Sequence, residues 1–465
     1  MLRAWFNTYI FMKQFINMRM VKVNYILLVS FVLLSCGGKK TSVTGTTITY
    51  NQITRKVCKA DTTQSYAVYL PTSYTNQKKW PVIYLFDSHA GGQFAVEHFK
   101  EAAERFGYVV IGSNNSKNGL QTLDHTLDIM IGDAQTEYAL DLNRQYAAGF
   151  SGGGRVASYL ATKTGKIKGI VTCGAGLPGF NPQTAAGKFD IVGIAGREDF
   201  NYDEVMAIAQ QFDKTDWRYM TAGFDGGHEW PPAFLFTKAL LWFQFNAMKD
   251  GLTIKNEPLI EQEFDSTMFR VKEALSKKHY SVAANECKDG IADFYGLTNI
   301  KKLQKKLLAI QEMDGYIAEK QKEAQLKYGE DQLRSDFIDA FSTHDIEWWT
   351  DAVDNLSNKI TSEPDLSTKQ MLKRVKGFLG IICYSFTGSA IKEKNEENLE
   401  KCIKIYQIVE PENPDSYFYK AQLKEMQDQP EEAAMALRKA IKLGYTDMAK
   451  IKATFSKRVL ELGKF

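Results

Sequence analysis

The segment Gly149-Phe150-Ser151-Gly152-Gly153-Gly154 sets one hydroxyl among glycines, between a strand-like run, Gln145 to Phe150, and a helix-like run, Arg155 to Thr162. Small residues on both sides of a serine let a strand turn sharply into a helix and present the hydroxyl at the tip. Glycine-rich loops reach this pattern by chance, so the chemistry has to be argued from the rest of the chain. A serine hydroxyl is a poor nucleophile at neutral pH and needs a base to take its proton. Two polar loops follow in the chain, Gly196-Arg197-Glu198-Asp199-Phe200 and Gly226-Gly227-His228-Glu229-Trp230. His228 is the candidate base, and Asp199 the candidate carboxylate that fixes the imidazole tautomer and stabilises its cation. Glu198 and Asp225 are alternative carboxylates, whereas His89, His98 and His125 all precede the serine. The plain alternative for His228 is a loop histidine bonded to a carbonyl.

Acyl transfer also develops an oxyanion, which needs two preorganised N–H donors. Gly152, directly after the serine, is one candidate. The other should come from the loop after Trp80 to Phe86, which reads Asp87-Ser88-His89-Ala90-Gly91-Gly92. Ser88 is the named donor there and His89 the next. A carboxylate at Asp87 would repel an oxyanion, so it should point away or be paired. His89 can bind substrate or be an ordinary loop residue, and Trp230 can line a pocket or pack in a core.

Groups such as these need a sheet whose strands end together. Trp80 to Phe86, WPVIYLF, is apolar throughout, as in a strand covered on both faces, and Gly107 to Ser113, Ile167 to Cys173 and Phe189 to Ala195 read the same way. Ile48 to Val57 and Ser65 to Leu70 read as a hairpin, and Trp217 to Ala222 as a last strand. Helical spacing falls at Phe94 to Phe106, Leu127 to Leu140, Asp203 to Phe212 and Pro232 to Ala247. The alternation predicts an α/β domain over residues 48–249, with a mostly parallel sheet and helices on both faces. Catalytic groups in such sheets gather at the carboxyl ends of strands, where all three loops fall.

Over roughly Ile48 to Lys249 the chain resembles the α/β-hydrolase serine esterases, including feruloyl esterase and polyhydroxybutyrate depolymerase relatives. DLNRQYAAGFSGGGRVA is similar to the elbow segment, with Asp141, Asn143 and Arg144 matching its polar lead-in; GREDF resembles the acid loop and GGHEWPP the histidine loop. The resemblance implies the α/β-hydrolase fold and ester cleavage through an acyl-enzyme, with Ser151, Asp199 and His228 in the order that fold uses. The chain departs from many relatives at Asp87 and Ser88, where they carry a His-Gly pair. Residues 174–188 form a short connection where larger lipases insert a helical lid. An open site suits water-soluble esters or acyl groups exposed on polymers, carbohydrates among them. A serine peptidase of the prolyl oligopeptidase type shares the elbow, although nothing before this domain could form a propeller.

From about Gly251 long helical spacings replace strands, as at Phe269 to Ala283, Ile300 to Tyr328 and Thr368 to Phe386. The stretch SYFYKAQLKEMQDQPEEAAMALRKAIKLGY resembles a tetratricopeptide repeat, with Ala421, Ala433 and Ala440 where two helices touch. Pro411 stands one repeat length, about 34 residues, before Tyr445, so the resemblance runs from Asn395 to Tyr445 within a helical domain at 250–465. Stacked helix pairs can take a peptide or protein partner, or serve only to buttress their neighbour. A non-catalytic envelope protein that binds its partner through these helices is a further alternative. Trp348 and Trp349 are expected in helical core.

With 44% hydrophobic and 24% charged residues the chain of 465 residues is ordinary and globular, long enough for two domains. A net charge of +3 gives no reason to expect nucleic acid. The six cysteines form no CxxC pair, so neither a zinc site nor a disulfide framework is indicated, and no cofactor is expected. Cys36 differs from the rest. It ends the short apolar run Tyr25 to Ser35, matching a signal peptide core, and Leu33-Leu34-Ser35-Cys36 resembles the lipobox of bacterial lipoproteins. Residues 1–36 are thus expected to be a lipoprotein leader, starting at Met1 or at Met18 or Met20, with residues 37–47 a tether. No acidic residue follows Cys36 directly, which favours a cell-envelope lipoprotein in the outer membrane facing the periplasm.

Overall fold

The computed structural model describes residues 51–465; the leader, the lipobox cysteine Cys36 and the tether lie outside them. Eight strands form one sheet: β1 (Ile53–Val57), β2 (Ser65–Tyr69), β3 (Trp80–Phe86), β4 (Val109–Ser113), β5 (Leu140–Phe150), β6 (Ile167–Cys173), β7 (Asp190–Gly196) and β8 (Tyr219–Phe224). Their spatial order is β1-β2-β4-β3-β5-β6-β7-β8. β2 is antiparallel to both neighbours, and every other pair is parallel. This is the α/β-hydrolase fold.

β3 and β7 are buried along their whole length because helices cover both faces, which is why they carry continuous apolar runs. On one face α1 (Gly92–Phe106) and α5 (Ala233–Lys249) bring Val96, Phe99, Phe236 and Phe243 against Ile83, Val171 and Val192. On the other, α2 (Leu123–Glu137), α3 (Gly152–Thr164) and α4 (Tyr202–Phe212) bring Met130, Leu160 and Ile208 against Tyr84, Ala147 and Ile191. The helix expected at Leu127 to Leu140 lies a turn earlier, because Leu140 already pairs with Trp80 at the start of β5. β8 starts at Tyr219 rather than Trp217. That tryptophan is packed edge-on to Phe180 and Phe189 before the strand begins.

The helical half comprises α6 (Glu257–Ser276), α7 (Tyr280–Phe294), α8 (Lys301–Gln311), α9 (Asp314–Thr343), α10 (Ile346–Ser362), α11 (Leu366–Glu393), α12 (Glu396–Val409), α13 (Pro414–Met426), α14 (Pro430–Lys442), α15 (Met448–Thr454) and α16 (Lys457–Gly463). Two helices expected from spacing are each broken. Phe269 to Ala283 is interrupted at Lys278, whose φ of 58° ends α6 while the N–H groups of Lys278 and His279 cap its last carbonyls. Ile300 to Tyr328 is interrupted at Met313, which is extended. α13 and α14 form a hairpin in which Ala421, Ala433 and Ala440 are all buried beside Phe418 and Leu437. Trp349 is fully buried against Phe337 and Phe341, while Trp348 stacks on His344. The two halves share a core where Phe245 and Met248 of α5 meet Ile260, Val271 and Phe294. Among the described residues no helix is long and apolar enough to cross a membrane.

Candidate active site

Ser151 sits between β5 and α3 with φ 53° and ψ −120°, a conformation that costs a side-chain-bearing residue on the order of 1–3 kcal/mol. Surrounding contacts hold it there. Its N–H donates to the Cys173 carbonyl at 2.7 Å. Gly153 lets α3 approach the end of β3, since a Cβ there would lie 2.0 Å from the Phe86 carbonyl oxygen. The corner therefore needs Gly149 and Gly153 for backbone contact, and the hydroxyl is what remains exposed to chemistry.

The GREDF and GGHEW loops leave the ends of β7 and β8 and meet Ser151. His228 Nε2 lies 3.0 Å from Ser151 Oγ, while Nδ1 lies 2.9 Å and 3.0 Å from the two Asp199 carboxylate oxygens. An ionised carboxylate only accepts, so Nδ1 carries the proton and the Nε2 lone pair faces the hydroxyl. The Asp199 side chain is entirely buried and that of His228 nearly so. Phe150 and Phe200 wall the imidazole, with ring centroids at 4.7 Å and 4.4 Å. The two alternative carboxylates are engaged elsewhere: Glu198 pairs with Lys373, and Asp225 is bonded by Arg197 and Gln370. The other histidines of this half also have other partners. His125 bonds Asp61 and His98 stacks on Trp230.

At the end of β3, Asp87 turns its carboxylate into its own loop. Oδ1 accepts from the N–H groups of His89 and Gly91 at 2.8 Å and 3.2 Å, and Oδ2 accepts from Trp230 Nε1 at 3.1 Å. The Ala90 N–H is spent on the Asp87 carbonyl. Of the four residues Ser88 to Gly91, that leaves Ser88 as the one whose N–H has no acceptor among the described residues. Gly152 opens α3, and the N–H of a first helical residue has no intrahelical acceptor. Trp230 is thus a tie between the Asp87 and His228 loops, packed on Phe150 and His98.

Three residues that sequence reasoning passed over complete the surroundings. Asn201 donates its N–H to Asp199 Oδ1 and its amide to the Gly174 carbonyl, both at 2.8 Å. Its signal was its place two residues after the acid, where the aspartate side chain can accept the backbone N–H as in an Asx turn. Gly174, at φ 58°, leaves room for Phe150, Asp199 and His228 to converge. Asn118 comes from the loop after β4, and its side chain fills the place that a Cβ on Gly152 would take, 1.9 Å from its Oδ1. Nothing in the local sequence marks Asn118.

No family model and no curated protein matches the sequence. Solved structures do. The fluorophosphonate-binding serine hydrolase F of Staphylococcus aureus is 16% identical over 39% of this chain and 92% of its own, with a TM-score of 0.32. An S-formylglutathione hydrolase of the same organism is 16% identical over 41% of this chain and 98% of its own, with a TM-score of 0.33. A ferulic acid esterase is 16% identical over 42% and 95%, with a TM-score of 0.34. Likeness at this level says nothing of substrate, and the chemistry rests on the side chains.

Proposed function

We propose that this chain is a serine hydrolase that cleaves carboxylic esters. The observation that carries the reading is the unbroken hydrogen-bonded path from Ser151 Oγ through His228 to the buried Asp199 carboxylate. Ser151 Oγ attacks the acyl carbon as its proton passes to His228 Nε2, and Asp199 stabilises the imidazolium. The N–H groups of Gly152 and Ser88 receive the oxyanion. His228 returns the proton to the departing alcohol, leaving the acyl group on Ser151. A water then gives its proton to His228 and attacks the acyl-enzyme, releasing the acid and restoring the hydroxyl.

The connection between β6 and β7 carries only a single 3-10 turn, Pro182–Thr184, in place of a lid. This supports a water-soluble or polymer-borne ester, an acyl group on a carbohydrate being the reading that the esterase resemblance favours. Lipidation of Cys36 would anchor the enzyme in the outer membrane facing the periplasm, and the hairpin α13–α14 would offer a tetratricopeptide-like surface to a peptide or protein partner. Hydrolysis of acetyl, feruloyl and short-chain aryl esters, measured beside matched amides, tests the activity. Ester turnover that disappears in Ser151→Ala is expected; preferential amide cleavage would point to a peptidase, and turnover that survives the substitution would refute the assignment.

A further inference from the structure

Glu330 lies in the middle of α9 and is fully buried. A buried carboxylate is costly unless paired and hydrogen-bonded. Here two arginines answer it. Arg374 of α11 reaches both carboxylate oxygens through Nε, at 3.1 Å and 3.0 Å, and again through Nη2. Arg334, one turn along α9, reaches Oε1 at 2.6 Å.

Neutralising Glu330 does not exhaust these guanidinium groups. Arg374 Nη1 donates to the Arg197 carbonyl at 2.6 Å, and Arg334 Nη2 donates to the Phe200 carbonyl at 3.2 Å. Those two carbonyls flank Glu198 and Asp199 in the chain. The Arg374 guanidinium also lies over the Tyr202 ring, 5.1 Å from its centre. Beside it Lys373 pairs with Glu198 at 2.8 Å, and the backbone at Gly377 abuts the Phe200 ring that walls His228. Other hydrogen bonds of this loop stay within the hydrolase half: Glu198 N–H to the Gly226 carbonyl, Asp199 N–H to that of Gly196, and Tyr202 N–H to that of Asp199.

We infer that the helical half is a built-in clamp on the Asp199 loop, in which Glu330 holds Arg374 and Arg334 so that their remaining donors fix the backbone on either side of the catalytic acid. The three are positioning residues, and the inference rests on the hydrolase reading above. Asp199 acts only while its carboxylate meets His228 Nδ1, and a displacement on the order of 1 Å in such a site costs about a hundredfold in rate. The helices after residue 250 thereby belong to the enzyme's catalytic architecture, whatever partner they also take.

The test uses the full chain with Arg374→Lys and Arg334→Lys. Each lysine still answers Glu330 with a positive charge, but lacks the planar fork that spans a carboxylate and a carbonyl together. p-Nitrophenyl acetate turnover is measured with the thermal unfolding midpoint of each variant. For Arg374→Lys a kcat lower by about tenfold or more is expected, with KM within about twofold and a midpoint close to wild type. In Arg374→Ala, added guanidinium should recover part of the lost kcat. Wild-type kcat in both folded lysine variants would overturn the inference, as would a loss that merely tracks the unfolded fraction. A wild-type chain inert to both ester and fluorophosphonate refutes the hydrolase reading and this inference with it; an active wild type with unaffected variants refutes the inference alone.

Discussion

Gly174→Ala probes the convergence of groups at the site without replacing any of the reacting side chains. The added Cβ would stand 2.8 Å from Phe150 Cε2, 3.0 Å from Asp199 Oδ2 and 3.1 Å from His228 Cε1. Each distance is shorter than an ordinary van der Waals contact by several tenths of an ångström. The backbone cannot simply swing away, because the Gly174 N–H is bonded to the Ile194 carbonyl at 2.8 Å and its carbonyl is held by Asn201. A left-handed conformation costs a residue with a Cβ about 1–2 kcal/mol, and overpacking adds about 1–3 kcal/mol. Unfolding stability should therefore fall by roughly 2–5 kcal/mol, with the strain discharged into the imidazole and carboxylate. Moving those groups by part of an ångström should lower kcat for an aryl ester by about 10- to 100-fold. Urea unfolding and steady-state hydrolysis of p-nitrophenyl acetate measure the two effects. A variant with unchanged midpoint and kcat within twofold of wild type would refute the packing argument.

Asp87→Ala removes the acceptor shared by the N–H groups of His89 and Gly91 and by Trp230 Nε1. Freeing the loop that bears the Ser88 donor should cost about a hundredfold in kcat with little change in KM, whereas Asp87→Asn, which keeps one acceptor oxygen, should lose less; equal kcat in both variants and wild type would contradict this. Asp415→Asn addresses the helical half. Burial pushes the Asp415 carboxyl up to about 6 from the usual carboxylate range, so the folded chain binds that proton more tightly than the unfolded one. Stability from this group is then greatest below pH 4 and is lost as pH rises through about 6. Asp415→Asn should stabilise the protein by up to about 3 kcal/mol at pH 8 and by almost nothing near pH 2; a chemical-denaturation series across that range would expose a flat difference if the reasoning fails.

The sheet was legible because burial on both faces leaves apolar runs such as WPVIYLF, and the elbow because backbone contact at Phe86 requires glycine at 149 and 153. The order of Ser151, Asp199 and His228 was legible because each closes a strand. What escaped was set by distant chain. Asn118 reaches Gly152 from the loop after β4, and Arg374 reaches Arg197 from α11, neither announced by local pattern. Helix ends at Lys278 and Met313 were missed for a related reason: neither carries glycine or proline, and the helical spacing runs on through both. The choice among Asp199, Glu198 and Asp225 could not be made from spacing, since it turns on which carboxylate the helical half pairs with and which it leaves to His228.

Intact-mass analysis after exposure to a fluorophosphonate tests the central claim most directly. The account predicts one phosphonyl adduct, mapped to Ser151, absent in Ser151→Ala and formed far more slowly in His228→Ala. Absence of the adduct in folded wild-type protein, or its retention in Ser151→Ala, would contradict it.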